Sequence, residues 1–248
     1  MRTIYILWLR QIKRYTRSKS RIIGALGQPL LFLVALNYGF GTIYKQAGQG
    51  NYIQFLGPGV IGMTILFGSI FSGIEIIWDR QFGFLKETLV APVSRVNIML
   101  GRTLGSTTIA TFQGLIVLFI TMLIGFRPVS VAASFAAVGF MVLAALLFTS
   151  LGTAIATVLS DIQGFQLIVN FVVQPMFFLS GSIFPLEGLP RALQIVANVD
   201  PLSYANDALR ATLINFSHYG LFLDFVVLAL ITLVLLGLGS YLFTKIEV

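Results

Sequence analysis

Six stretches of roughly twenty apolar residues, at 22–43, 55–77, 103–126, 131–159, 165–184 and 221–243, constrain this chain more than any other feature. A helix needs about 20 mostly apolar residues, rising about 1.5 Å each, to cross a hydrocarbon core about 30 Å thick. The runs lack the alternating pattern of about ten residues that a lipid-facing barrel strand requires. The expected fold is therefore all-α, a single polytopic membrane domain over residues 1–248 with six transmembrane helices. Composition agrees: of 248 residues, 57% are hydrophobic and 10% charged, against about 25% charged in an ordinary soluble domain.

Basic residues are retained on the cytoplasmic side of a membrane protein. With the N-terminus inside, the inner segments hold seven basic residues from Arg2 to Arg21, then Arg80, Lys86, Arg95, Arg102 and Lys245. Only Lys45, Arg127, Arg191 and Arg210 fall outside, so both termini are expected to be cytoplasmic. The formal charge of +7 sits mostly beside spans, where it sets topology and meets anionic lipid heads; nucleic acid is not an expected partner. There is no cysteine, which excludes disulfides and thiolate metal sites. The first apolar run is too long and starts too far in for a cleaved signal, so it is expected to remain as a helix.

Before that run, residues 1–21 repeat at helical spacing. Ile4, Trp8, Ile12 and Tyr15 fall on one side, and Arg10, Arg14, Arg17 and Arg21 on another. Such a segment reads as an interfacial helix in the headgroup plane, apolar face in lipid, cations at phosphates or at a docked partner. A plain positive-inside anchor is the simpler reading.

Between the second and third runs lies one polar island, residues 79–102, reading DRQFGFLKETLVAPVSRVNIMLGR. Phe82, Leu85 and Leu89 can share one face of a short helix that Lys86 and Glu87 interrupt with charge and Pro92 stops. An apolar knob flanked by charges suits a groove on a soluble partner, and equally a surface loop whose Phe and Leu side chains dip into lipid.

After the fifth run, Pro185, Gly188 and Pro190 break the helix. Leu193, Ile195 and Val196, then Leu202, Ala205 and Leu209, suggest two short amphipathic pieces within an outer segment 185–219 too apolar for a fully solvated loop. Asn215-Phe216-Ser217 fits a glycosylation triplet, a pattern that arises often by chance.

The string DRQFGFLKETLVAPVSR after the second span, with LSGSIFPLEGLPRALQ and DPLSYANDALR after the fifth, resembles the membrane subunit of type-2 ABC exporters, in particular daunorubicin-resistance and nodulation-factor permeases. The resemblance covers nearly the whole chain. It implies that the first cytoplasmic loop is a coupling helix resting in a cleft of a separate ABC ATPase, carried here by Phe82, Phe84, Leu85, Lys86, Glu87 and Leu89. Glu87 matches the acidic residue after the glycine-containing turn, although this chain reads GFLKE where many relatives read GTLE. It further implies two ATPase copies that bind the ATP and Mg, a second permease copy or a similar permease as partner, a prokaryotic plasma membrane, and re-entrant outer helices closing the exit.

Polar groups inside spans need partners, because each is costly to leave unpaired in hydrocarbon. Asn170 and Gln174 lie four apart on one face of the fifth span, just before Pro175. They can bond a neighbouring helix or line a substrate path. The resemblance favours the path, with Phe171, Phe177 and Phe178 as its aromatic wall. Glu75 near the inner end of the second span reads as a pair with a nearby Arg, or as a group exposed at the interface, more readily than as a proton relay. Asp161, Asp224 and Lys45 sit at span ends and are expected to meet water. Gly101 with Gly105, and Gly152 with Ala156, indicate close helix packing.

The sequence holds no phosphate loop of the form G-x-x-x-x-G-K-[ST] and no G-x-S-x-G, and its only histidine, His218, has no catalytic companions nearby. A transport subunit without its own cofactor is expected, not an enzyme. Two classes compete: the permease half of an ATP-driven exporter, and a carrier or channel driven by an ion gradient. Carriers show inverted repeats and buried ionisable groups at the midplane; this sequence shows neither, which favours the exporter. A Phe-rich path with two amides suits an amphipathic drug-like or lipid-like cargo; a polysaccharide or lipid-linked glycan is the alternative.

Overall fold

The computed structural model describes residues 2–48, 50–84, 93–159, 161–186 and 190–245. Among these every regular element is helical, and six helical stretches are long and apolar enough to cross a membrane. Helix α1 (Arg2–Thr16) precedes α2 (Lys19–Gln46), the first crossing. The second is α3 (Tyr52–Phe71) with α4 (Ile74–Gln81), separated at Ser72 and Gly73. Helices α5 (Arg95–Ile124) and α6 (Val131–Val158) are the third and fourth. The fifth runs through α7 (Ile162–Ile168), a π turn (Val169–Val173) and α8 (Gln174–Leu179). Two shorter helices, α9 (Arg191–Val199) and α10 (Pro201–Ile214), precede the last crossing, α11 (Leu221–Thr244).

Two boundaries depart from expectation for local reasons. The third crossing starts at Arg95 and not at 103, because Ser94 caps it, its Oγ accepting from the Asn97 amide at 3.3 Å. The last part of the polar island is thus helix: polarity marks where the membrane ends, not where the backbone ladder ends. The fifth crossing covers 162–179 in place of 165–184. Asp161 caps its start, accepting from the Gly164 amide at 2.7 Å. Pro175 lacks an N–H to continue the α-helical ladder, and the turn before it widens to the π form.

Helix α3 is the core. Leu56, Ile61, Met63, Ile65, Leu66 and Ile70 are completely enclosed, as expected of a helix apolar all round. Its glycines let neighbouring backbone come unusually close. A Cβ at Gly59 would lie 1.9 Å from the Ser182 carbonyl oxygen, and one at Gly73 would lie 2.4 Å from that of Gly152. The second contact gives the small pair in α6 its partner, the junction of α3 and α4.

The expected pair of short pieces after the fifth span is present as α9 and α10, and α10 is a core helix packed on α3, α6 and α11. Asp200 caps it, its Oδ1 accepting from the Leu202 amide at 2.8 Å, and Pro201 occupies its first turn. Asn206 donates to Ser182 Oγ at 2.8 Å and Ser180 Oγ at 3.2 Å. Arg210 donates to the Gly181 carbonyl at 2.6 Å and lies 3.9 Å over the Phe55 ring. These contacts fasten the turn after α8 to α10 and, through Phe55, α10 to α3. Asn215 of the glycosylation triplet ends α10 in the left-handed conformation, at φ 58°. Ser217 Oγ and the amides of His218 and Tyr219 all donate to Asp207. Asp224, expected to meet water, is instead enclosed beside Asp207, because this loop folds over the start of α11.

Candidate functional site

Glu75 and Asp79 are one turn apart on α4 and share a face. Three other helices direct guanidinium groups at that face. Arg21 from α2 forms an ion pair with Glu75. Arg102 from α5 donates to Asp79 Oδ2 at 2.5 Å and to the Glu75 carbonyl oxygen at 3.4 Å. Arg14 from α1 stands 3.7 Å from a carboxylate oxygen of each acid. On the next residue of α4, Arg80 donates to the carbonyls of Leu159 and Thr157, at 3.3 and 3.4 Å, where α6 ends. Glu75, Asp79 and Arg102 are all buried. Four arginines against two carboxylates make the cluster cationic as a whole.

The position of Arg14 follows from a close helix contact. A Cβ at Gly101 would lie 2.9 Å from Leu7 Cβ, and one at Gly105 would lie 2.7 Å from Gln11 Cβ. The Gly101 and Gly105 pair therefore receives α1, the close packing expected of it. Trp8 Nε1 donates to Thr108 Oγ1 at 3.0 Å, and Gln113 Nε2 donates to the Tyr15 hydroxyl at 2.9 Å. Contacts advance together along both helices, from Leu7 and Gly101 through Gln11 and Gly105 to Tyr15 and Gln113, so α1 runs beside α5 in the same direction. This corrects the expected use of both faces of the N-terminal segment. Ile4, Trp8 and Tyr15 meet α5 and not lipid alone, because two glycines open a groove for them. Arg14 and Arg21 meet carboxylates within the chain, whereas Arg10 and Arg17 are exposed.

No group of three His, Cys, Asp or Glu side chains that could hold a metal ion occurs among the described residues. What the cluster can do is mechanical. It ties α4 to α1, α2, α5 and α6, so a displacement of α4 reaches four helices through charged contacts. Alpha-4 ends at Gln81 and is followed by Phe82 and Phe84, 72% and 52% exposed; of the other expected coupling residues, Leu85, Lys86, Glu87 and Leu89 lie outside the described residues.

The residues expected to line a path divide. Asn170, Phe171 and Phe178 are exposed on the fifth crossing and Gln174 is half-buried; Asn170 Oδ1 accepts from Gln166 at 3.1 Å. Phe177 points the other way, buried and edge-on to Phe32 and Phe67 at 6.0 and 5.8 Å. It is a core residue and does not share their surface. The clamp formed by Arg102 and Asp79 was not singled out from sequence. Its available signal was an acid pair four residues apart, within one span of a basic repeat of the same period.

Six helical stretches able to cross a membrane, with a buried ionic clamp one turn before the exposed Phe82 and Phe84, define a multi-pass membrane protein. Residues 2–214 match the family described as ABC-2 type transporter, and the chain belongs to that family. Among its relatives, a putative transport permease ycf38 from Pyropia yezoensis is 31% identical, over 84% of this chain and 72% of the relative. A similar permease from Cyanophora paradoxa is 26% identical over the same shares. Nodulation protein J of Rhizobium meliloti is 26% identical, over 87% of this chain and 83% of the relative. Membership implies a transport permease that pairs with an ABC ATPase subunit.

Proposed function

We propose that this chain is the permease half of an ATP-driven exporter that moves an amphipathic drug-like or lipid-like substrate out of the cytoplasm. Two copies form the pathway between them, and two copies of a separate ATPase bind ATP and Mg. The basic end of the molecule, with both termini, faces the cytoplasm of a prokaryotic cell. Asn170, Phe171, Gln174 and Phe178 contribute to the path. The observation that carries this reading is the clamp on Glu75 and Asp79. It couples the segment beginning at Phe82 to four helices at once, as a lever driven by an external motor requires. Closure of the ATPase pair pushes on residues 82–91, and the helices joined through the clamp tilt together.

Replacing Leu85 and Glu87 with alanine tests the mechanism. In the reconstituted complex the variant is expected to stay folded and bound to lipid while substrate no longer stimulates ATP hydrolysis. Unchanged substrate-stimulated hydrolysis refutes it.

A further inference from the structure

Beside the clamp, a cavity of about 300 Å³ opens between α2, α3, α4 and α5, at the lower end of the range of about 300–1,000 Å³ that small-molecule sites occupy. Its apolar wall carries three aromatic side chains, Phe67, Phe71 and Trp78. Phe67 and Phe71 stack at 6.1 Å and 24°, an arrangement that offers ring faces to a flat ligand. Phe67 also meets Phe177 edge-on at 5.8 Å, and Phe177 meets the exposed Phe178 at 5.1 Å. Two rings therefore separate the cavity from the exposed surface of the fifth crossing.

The polar groups of the wall specify the occupant. Arg21 and Glu75 are its only charged side chains among the described residues, and they pair with each other. A charged ligand would lose hydration there without gaining a counter-charge. The deep end differs. Gln113 lines it and is 3% exposed. Its Nε2 donates to the Tyr15 hydroxyl at 2.9 Å, which fixes the amide, while its Oε1 has no hydrogen-bond partner. That oxygen faces Gly68, another residue of the wall: a Cβ at Gly68 would lie 2.3 Å from it, so the glycine sets no side chain over it. A buried acceptor left unpaired is costly, and an O–H or N–H donor arriving from the cavity removes that cost.

We propose that this cavity binds an uncharged, ring-bearing molecule with an O–H or N–H donor, the donor at Gln113 Oε1 and the ring against Phe67, Phe71 and Trp78. Gln113 is then the residue that sets specificity. This chemistry narrows the drug-like cargo of the exporter; that the occupant is cargo rests on the exporter reading, whereas its binding requires neither ATP nor a partner subunit.

The test uses the full-length permease carrying Trp8→Phe, in lipid nanodiscs, so that Trp78 in the cavity wall is the sole tryptophan. Three fluorescent probes share one ring system: N-phenyl-1-naphthylamine, neutral with an N–H; its N-methyl derivative, neutral without a donor; and 8-anilinonaphthalene-1-sulfonate, anionic. Energy transfer from Trp78 to each probe is titrated without ATP, with empty nanodiscs as the blank. N-phenyl-1-naphthylamine is expected to saturate a site. Its N-methyl derivative binds about tenfold more weakly, the scale of one net hydrogen bond, and the sulfonate binds more weakly than the parent amine. Gln113→Leu abolishes the difference between the two neutral probes, which separates the lost hydrogen bond from the bulk of the methyl group. Gly24→Phe, at a wall position where a Cβ meets nothing within 4 Å, fills the cavity and removes saturable transfer. Absence of saturable transfer with Gln113 and Gly24 intact overturns the proposal, as does equal binding of the neutral probes. So does a donor preference that survives Gln113→Leu, binding of the sulfonate as tight as that of the parent amine, or saturable transfer that survives Gly24→Phe. None of these outcomes depends on the ATPase, so the Leu85 and Glu87 variant tests the exporter reading separately.

Discussion

The Arg102 and Asp79 pair offers the sharpest test of the clamp. At 2.5 Å and an effective dielectric near 20, the Coulomb attraction is about 7 kcal/mol. Desolvating the two ions costs several kcal/mol each, so the intact pair is close to neutral for stability. Breaking it is not. Asp79→Asn leaves Arg102, 6% exposed, without its counter-charge, and Arg102→Met leaves Asp79 supported only by Arg14. Each single change is expected to cost about 3–5 kcal/mol. At about 2–4 °C per kcal/mol for a chain of this size, that lowers Tm by roughly 6–20 °C. The double variant removes both buried charges and is expected to recover at least half of the loss. Thermal unfolding of the detergent-purified permease, followed by tryptophan fluorescence, reports on this region directly, since the two tryptophans are Trp8 on α1 and Trp78 on α4. If the double variant shows the sum of the two single losses to within about 0.5 kcal/mol, the residues are uncoupled and the clamp does not exist as described.

Gly59→Ala places a Cβ 1.9 Å from a backbone oxygen, and the overpacking is expected to cost at least about 1–3 kcal/mol; yield of monodisperse protein in detergent should fall sharply, with Gly24→Ala unaffected. Burial pushes the Asp200 carboxyl up to about 7, against the opposing Leu202 amide. Its folded value exceeds its unfolded value of about 3.9, so this contribution to stability is complete below pH 4 and is lost as pH rises through 7. A Tm profile from pH 4 to 8 should therefore fall less steeply in Asp200→Asn, which keeps an acceptor for the cap; an unchanged profile counts against the assignment.

The crossings were legible because burial in lipid demands length and apolarity together, and both are written residue by residue. The ends were less so. Arg95 begins a helix inside a polar island because Ser94 caps it, a local bond that outweighs polarity. The fifth crossing shifted because Asp161 and Pro175 set its ends and its π turn. In the site, the position of Glu75 near a span end allows an arginine pair or exposure at the interface, and the structure decides for the pair, with Arg21 as partner and Glu75 buried. The assignment of Arg14 to lipid phosphate or a partner missed its carboxylates, because periodicity shows which residues share a face and not what the face meets. Asp224 was hidden for the same reason: its enclosure depends on the 215–220 loop folding across a helix start, a tertiary event with no local signature.

Gly59, Gly73 and Gly152 have a consequence for how this chain can diverge. Elsewhere in the core a substitution can be absorbed by a neighbouring side chain changing rotamer or being replaced in turn. At these three positions the nearest atoms belong to another segment's backbone, which has no smaller alternative to offer. Drift there has no compensating partner, so altered cargo or altered partners must be reached by changing surfaces around a fixed axle.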